Sequence, residues 1–369
     1  MLEEILKEKD YLPILKMNDG RVVTPELWQE RRGELLDLLE TYSYGVTPRV
    51  KPTRVFGEVV SRGNYRTYAG KVNEEKINIS FETEEYGVFT FPVQLYVPKK
   101  VERPPVFLHL AFRPAPDQYI PVEEITDAGY AICVMCYKDV VNDNHYGDYS
   151  DGLAKYFGTT IERKPNEWGK IGMWAYGASR VLDYIIESRP DLDGERVAVI
   201  GHSRLGKTAL WTAAQDERFF ASISNDSGYG GAASSKHGTG ERVTDFLRVG
   251  SWDWYCESFK DYKDEGEDNK PYDQSFLLAL IAPRYLCVGS AENDKGADPK
   301  SEFLTTLHAS SVWSLLGKRG LVTPDKMPEA GDHLPDGDVG YHMRAGEHFL
   351  SREDWNYYIK FLDKKLGRS

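Results

Sequence analysis

Cysteine is scarce, with only Cys133, Cys136, Cys256 and Cys287 in a chain of 369 residues. Four thiols cannot staple a chain of this length, which excludes the disulfide-framework class. Cys133 and Cys136 form a C-x-x-C, but inside the apolar run 130–137. Read as a buried strand, that run sends the two thiols to opposite faces, so they read as small core residues and not as a metal or redox pair. No zinc constellation and no other metal site is expected. Long apolar runs are also missing, and none approaches the roughly 18 residues of a membrane helix. Positive charge is in deficit, with 46 Lys and Arg against 58 Asp and Glu, a net charge of −12. That balance argues against nucleic acid or an anionic membrane as partner. The first ten residues carry charges where a signal peptide carries an apolar stretch. As written, the chain reads as cytoplasmic; removal of a leader would make it secreted or periplasmic.

What is present is the composition of a globular protein, 41% hydrophobic and 28% charged. Residues 1–50 read as a helical arm, with Thr24 as cap, Pro25 at the first helical position, and Leu27, Trp28, Leu35, Leu38, Leu39 and Tyr42 at helical spacing. Residues 76–81 and 91–97 alternate at period two, an antiparallel start to a sheet. From 105 onward strands alternate with helices, which indicates parallel βαβ units. The strands are expected at 106–111, 131–137, 196–200, 219–223 and 285–288. An amphipathic helix stops before Pro190, another covers 204–215, and a last one opens at Ser351 with a capping box. A polar, irregular segment runs from 138 to 168. The expected architecture is an α/β three-layer sandwich with a mostly parallel central sheet. It forms one domain over 51–369 with a lid-like insert at about 229–275.

The strongest local signal is Gly-His-Ser-Arg-Leu-Gly-Lys (201–207), a β-branched strand running into a serine with a helix directly after it. A strand–turn–helix of this kind is a nucleophile elbow. Its glycines leave room where a tight turn pushes the serine onto strained backbone. The following helix then offers free N–H groups and a positive dipole end to an oxyanion. The bare pattern G-x-S-x-x-G arises by chance in about one chain in eight of this length, so the context carries the signal. Ser203 requires a base, because a serine hydroxyl is barely nucleophilic at neutral pH. In α/β-hydrolases the order is serine, acid, histidine, with the histidine before the final helix. His348 fits, three residues ahead of Ser351; His342 and His333 are its rivals. For the acid, Asp294 after the strand 285–288 stands first, Asp226 after the strand 219–223 next, and Glu292 third. Asp294 has a bland alternative as the cap of 297–299, and Asp226 as an Asx-turn residue before Gly228.

Further strings accompany the elbow: Asp-Glu-Arg-Phe (216–219), Ser-Gly-Tyr-Gly-Gly-Ala-Ala (227–233), Leu-Ile-Ala-Pro-Arg (280–284) and Gly-Tyr-His-x-Arg-x-Gly-x-His (340–348). With Thr-Pro-Glu-x-Trp (24–28) and Tyr-x-Tyr-Gly (42–45) they resemble the glucuronoyl esterase family, carbohydrate esterase family fifteen. The bacterial branch, whose members are often labelled acetylxylan esterases, is the nearer match. The resemblance implies an α/β-hydrolase fold, no cofactor, and cleavage of the ester between 4-O-methylglucuronic acid on xylan and a lignin alcohol. It makes Ser203 the nucleophile and His348 the base. Arg204 would help bind the oxyanion, and Lys207 would face the sugar hydroxyls. The partner is then a carbohydrate ester, a xylan or lignin–carbohydrate fragment, and the oligomeric state stays open. Three positions depart from the family pattern: Asp226 where a glutamate is usual, Gly296 where relatives tend to carry a tryptophan, and Ser275 where a histidine is usual. Trp252 and Trp254 in the insert supply either a stacking surface for sugar rings or the apolar underside of a lid. The alternatives to a glucuronoyl esterase are a carbohydrate acetyl esterase and a non-catalytic carbohydrate-binding relative.

Overall fold

The computed structural model describes residues 1–368 apart from 65, 235, 237 and 266–268, with backbone alone at 264 and 265. Apolar residues at period two build its first three strands, β1 (Arg54–Arg62), β2 (Val72–Thr83) and β3 (Gly87–Pro98), which pair antiparallel. Continuous apolar runs build the parallel strands: β4 (Val106–Ala111), β5 (Ala131–Cys136), β6 (Val197–His202), β7 (Ala221–Asn225) and β8 (Tyr285–Ala291). Two more complete the sheet, the two-residue β9 (His333–Leu334) and β10 (Val339–Arg344). The order is β1-β2-β3-β5-β4-β6-β7-β8-β10-β9, parallel from β5 through β10 and antiparallel at both margins.

Both faces of the sheet are covered, which is why its central strands are buried at nearly every position and mostly apolar. Val197 and Val199 of β6 enter one core, with Trp174, Leu205 and Trp211. Ala198 and Ile200 enter the other, with Phe107, Trp355 and Tyr358. The three layers expected for an α/β-hydrolase sandwich are therefore present. Leu2, Ile14, Trp28, Leu35 and Leu39 of the N-terminal arm belong to the first core. Its anchor is Tyr44, whose ring stacks on Trp211 at 4.4 Å and whose hydroxyl donates to Gly230 O at 2.8 Å.

Several expectations shift. The arm's second helix is Trp28–Tyr42, with no side-chain cap. Leu27 N donates to Thr24 O and Trp28 N to Pro25 O, so a separate turn precedes the helix and Thr24 does not cap it. Strand β7 lies two residues later than expected, because Phe219 closes a turn onto Asp216 O while polar Ser224 and Asn225 still pair with Gly201 and His202. The four cysteines are buried and free. Cys133 and Cys136 border the same core, since β5 ends at Cys136 and the chain turns there. The described part of the insert is docked on the body of the domain, since Trp254, Tyr255, Phe259, Tyr262 and Tyr272 are core residues. No helix among the described residues is long and apolar enough to cross a membrane.

Candidate active site

Ser203 stands between β6 and the helix Arg204–Gln215, at φ 58° and ψ −128°. That backbone is strained for a residue with a side chain, and strain of this kind concentrates at functional sites. The turn is possible because Gly201 has no Cβ; one there would lie 2.0 Å from Leu205 O. Gly206 is nearly as tight, 3.0 Å from Ser224 Oγ and from Ser227 Cβ. Ser203 N donates to Asn225 O at 2.9 Å, which ties the elbow to the end of β7. In the first turn of the following helix Gly206 N and Lys207 N donate to Ser203 O at 2.9 and 3.1 Å, and the N–H groups of Arg204 and Leu205 before them have no intrahelical acceptor.

His348 lies beside this elbow. Its ring is 4.4 Å from that of His202, the residue before the serine. Its Nδ1 donates to Asp294 Oδ2 at 2.5 Å, while the ring remains 45% exposed toward solvent. Asp294 also accepts from Ala297 N at 3.1 Å, so the turn-capping role and the imidazole contact coexist. Burial by itself would raise the Asp294 carboxyl, but the hydrogen bond and charge of His348 outweigh it and hold the group below its ordinary value. Asp226 behaves oppositely. Burial pushes it well up, the Glu302 and Asp354 carboxylates add to that, and the Arg344 guanidinium opposes. Its Oδ1 accepts from Ala291 N at 2.7 Å and its Oδ2 from Arg344 Nη2 at 3.2 Å. The donor atoms of Asp226, Asp294 and His348 lie within 4.8 Å of one another. Within the trio His348 and Asp294 are hydrogen-bonded to each other, while Asp226 is bonded to Arg344.

The rival histidines are elsewhere. His342 is fully buried, with Nε2 on Asp354 Oδ1 at 2.8 Å, and His333 packs on Tyr357 at 4.7 Å. Glu292 points to solvent. His202 is kept neutral: burial lowers it to about 3, helped by the charge of His348, and its Nδ1 donates to Asn225 Oδ1 at 2.7 Å.

Arg204 and Trp254 line a cleft of about 610 Å³ together with His145, Glu241, Phe246, Lys295 and Gly296. Arg204 stacks on Trp254 at 4.4 Å and pairs with Asp143, which also accepts from Trp254 Nε1 at 2.7 Å. Arg204 Nε is buried without a hydrogen-bond partner. Lys207 is 2% exposed; its Nζ donates to Ser227 O at 2.7 Å and lies 3.5 Å from Glu241, so it reaches the cleft through that glutamate. Trp252 is not on the cleft. Lys260 Nζ caps its ring at 3.2 Å. Gly296 leaves the wall open, since a Cβ there would touch nothing nearer than Asp294 Oδ1 at 3.6 Å.

Sequence reasoning missed Asp143 and Glu302. Asp143 sits in the irregular segment 138–168, where no period marks it. Glu302 had a signal, an acid beside apolar neighbours on the helix Pro299–Ala309. It is fully buried, raised by that burial to about 7, and takes Ser290 Oγ, Ser227 Oγ and Gly228 N as donors.

Comparison with known proteins gives this arrangement its family. The model of fungal glucuronyl esterases matches residues 83–317. A carbohydrate esterase from an unknown prokaryotic organism is 34% identical over 96% of this chain and 89% of its own length. A 4-O-methyl-glucuronoyl methylesterase of Cerrena unicolor is 28% identical over 83% of this chain and 61% of its own. The solved glucuronoyl esterase from Solibacter usitatus superposes with a TM-score of 0.86 at 35% identity, covering 95% of this chain and 97% of its own. Likeness over nearly the whole length means that the chain belongs to the glucuronoyl esterase family and is a carboxylic ester hydrolase of α/β-hydrolase fold.

Proposed function

We propose that the chain hydrolyses glucuronoyl esters of xylan through a Ser203–His348–Asp294 triad. The observation that carries this reading is the strained serine beside an imidazole whose far nitrogen is held by an ionised carboxylate. His348 Nε2 takes the Ser203 proton as Oγ attacks the ester carbonyl, and returns it to the departing alcohol. A water then repeats the sequence and releases the uronic acid. Asp294 fixes the imidazole tautomer and stabilises its cation. Asp226, whose carboxyl is pushed up by burial, is the poorer partner for a cation, and environments that separate two carboxyls in this way separate their roles. Arg204 serves the oxyanion: it follows the nucleophile, lines the cleft, and is held by Asp143 and Trp254. Lys207 acts indirectly by orienting Glu241 at the sugar wall. The cleft volume suits one or two sugar rings.

The test is kcat/KM on methyl and benzyl uronate esters against acetylated xylan and p-nitrophenyl acetate. The uronate esters are expected to be preferred by at least about tenfold. Ser203→Ala and His348→Ala are each expected to cost several orders of magnitude. Asp294→Asn is expected to cost about 10³-fold, and Asp226→Asn less than about tenfold. Activity on acetyl esters alone would refute the substrate, and no labelling of Ser203 by a fluorophosphonate would refute the chemistry.

A further inference from the structure

Three loops meet at His348, and one guanidinium touches two of them. Arg344 is the last residue of β10 and is 4% exposed. Its Nε donates to Asp354 Oδ2 at 2.7 Å and its Nη1 to Ala345 O at 3.0 Å. Its Nη2 donates to Glu347 O at 2.9 Å and to Phe349 O. Those two carbonyls belong to the residues on either side of His348. The same Nη2 reaches Asp226 Oδ2 at 3.2 Å, and Asp226 Oδ2 also accepts from Phe349 N at 3.4 Å.

The far end of this clamp is rigid. Asp354 accepts from Ser351 N at 2.7 Å and Ser351 Oγ at 2.9 Å in the capping box of the last helix, and from His342 Nε2 at 2.8 Å. The near end is stitched to the loop after β8, where Glu292 N donates to Arg344 O and Asn293 N to Gly346 O, both at 3.0 Å. Nη2, with two protons, is shared among three of these acceptors, and a planar fork reaches the whole set only in one orientation. A lysine or an amide could not.

We infer that Arg344 is the positioning residue of the base. It fixes the peptide groups flanking His348 and binds Asp226, so that Asp294 alone orients the imidazole. This rests on the reading of Ser203 and His348 above. It explains why two buried acids can stand beside one histidine while only one is hydrogen-bonded to it. Oδ1 of Asp226 is taken by Ala291 N, and its Oδ2 by Arg344 and Phe349 N. Asp294 Oδ2 is given to the ring.

The experiment crosses Arg344→Gln and Arg344→Lys with Asp226→Asn and Asp294→Asn, measuring kcat and KM on a methyl glucuronate ester and melting each variant. Arg344→Gln is expected to lower kcat by about 10–100-fold with KM within about threefold, since the substrate is not touched. In that background Asp226 is released toward the imidazole. Asp294→Asn should then cost only about tenfold more, and Asp226→Asn should become costly. Arg344→Lys keeps the charge beside Asp226 and loses the carbonyl fork, so kcat falls while the dependence on Asp294 stays. A merely structural arginine would give losses that multiply independently with the same preference for Asp294 in every background, and that result would overturn the inference. If Arg344→Gln does not fold, Arg344→Lys and Asp354→Asn decide. Asp354→Asn loosens the guanidinium from behind and should lower kcat severalfold at unchanged KM; an unchanged kcat in both variants also overturns it. Full activity of Ser203→Ala would instead sink the triad reading, whatever Arg344 does.

Discussion

An alanine at position 201 would carry its Cβ to 2.0 Å from Leu205 O, 2.3 Å from Leu205 C and 2.8 Å from Gly206 N, where ordinary contact begins at 3.4 Å. All three atoms are backbone, so no side chain can swing aside. The first turn of the helix Arg204–Gln215 must retreat by more than about 1 Å, and Ser203 is joined to that turn. A misplacement of about 1 Å at a reacting atom costs on the order of 10²-fold in rate. The overpacking itself should cost about 1–3 kcal/mol of stability. Gly201→Ala is therefore expected to lose at least about 100-fold in kcat/KM on a uronate ester, and to slow fluorophosphonate labelling of Ser203 in parallel, while remaining folded below a lowered Tm. Gly33→Ala is the matched control. Nothing lies within 4 Å of a Cβ there, and the site is a solvent-facing helix interior, so stability should rise by up to about 1 kcal/mol with activity intact. If Gly201→Ala keeps kcat/KM within threefold of the parent, the strained elbow is not what places the nucleophile.

Two further perturbations probe strain and burial. Ser203→Gly removes the side chain that makes φ 58° and ψ −128° costly, so activity should vanish while stability rises by about 0.5–2 kcal/mol; a lower Tm would show that the turn is not strained. Lys270 is caged by Tyr229 at 4.4 Å and by Phe259, Tyr262 and Tyr272 at 5.3–5.5 Å, and burial lowers its ammonium to about 7. Between pH 7 and the ordinary lysine value of about 10.4 the unfolded chain binds a proton that the folded one does not, so stability rises with pH across that window. Lys270→Met should raise Tm most at or below pH 7, with the gain fading toward pH 10; a lower Tm at pH 6 would mean that the cation–π cage outweighs desolvation.

Period and punctuation carried much of the fold. The helix expected at 204–215 is observed as Arg204–Gln215, and the strand at 106–111 as Val106–Ala111, because both have uninterrupted apolar patterns. The last helix was marked by Ser351 and Asp354, whose capping box is local chemistry. Where polar side chains point into the site the pattern broke. Ser224 and Asn225 hid the end of β7, and His342 and Arg344 hid β10 altogether, since a buried strand bearing charge does not look like one.

The turn at Ser203 and the order of serine, acidic loops and histidine along the chain were legible in the sequence itself, because a tight turn needs its glycines at set spacing and the fold sets the order of the loops. The choice of acid was open there. Two aspartates follow adjacent strands at equivalent places, and nothing local separates them. Only packing does so: Arg344, 118 residues from Asp226, binds that carboxylate, while Asp294 reaches His348 across 54 residues. The same holds for Trp252 and Trp254, two residues apart, of which only the second faces the cleft. Which carboxylate the guanidinium holds, which one the imidazole holds and which ring lines the cleft depend on packing between distant segments, and that exists only once the chain has folded.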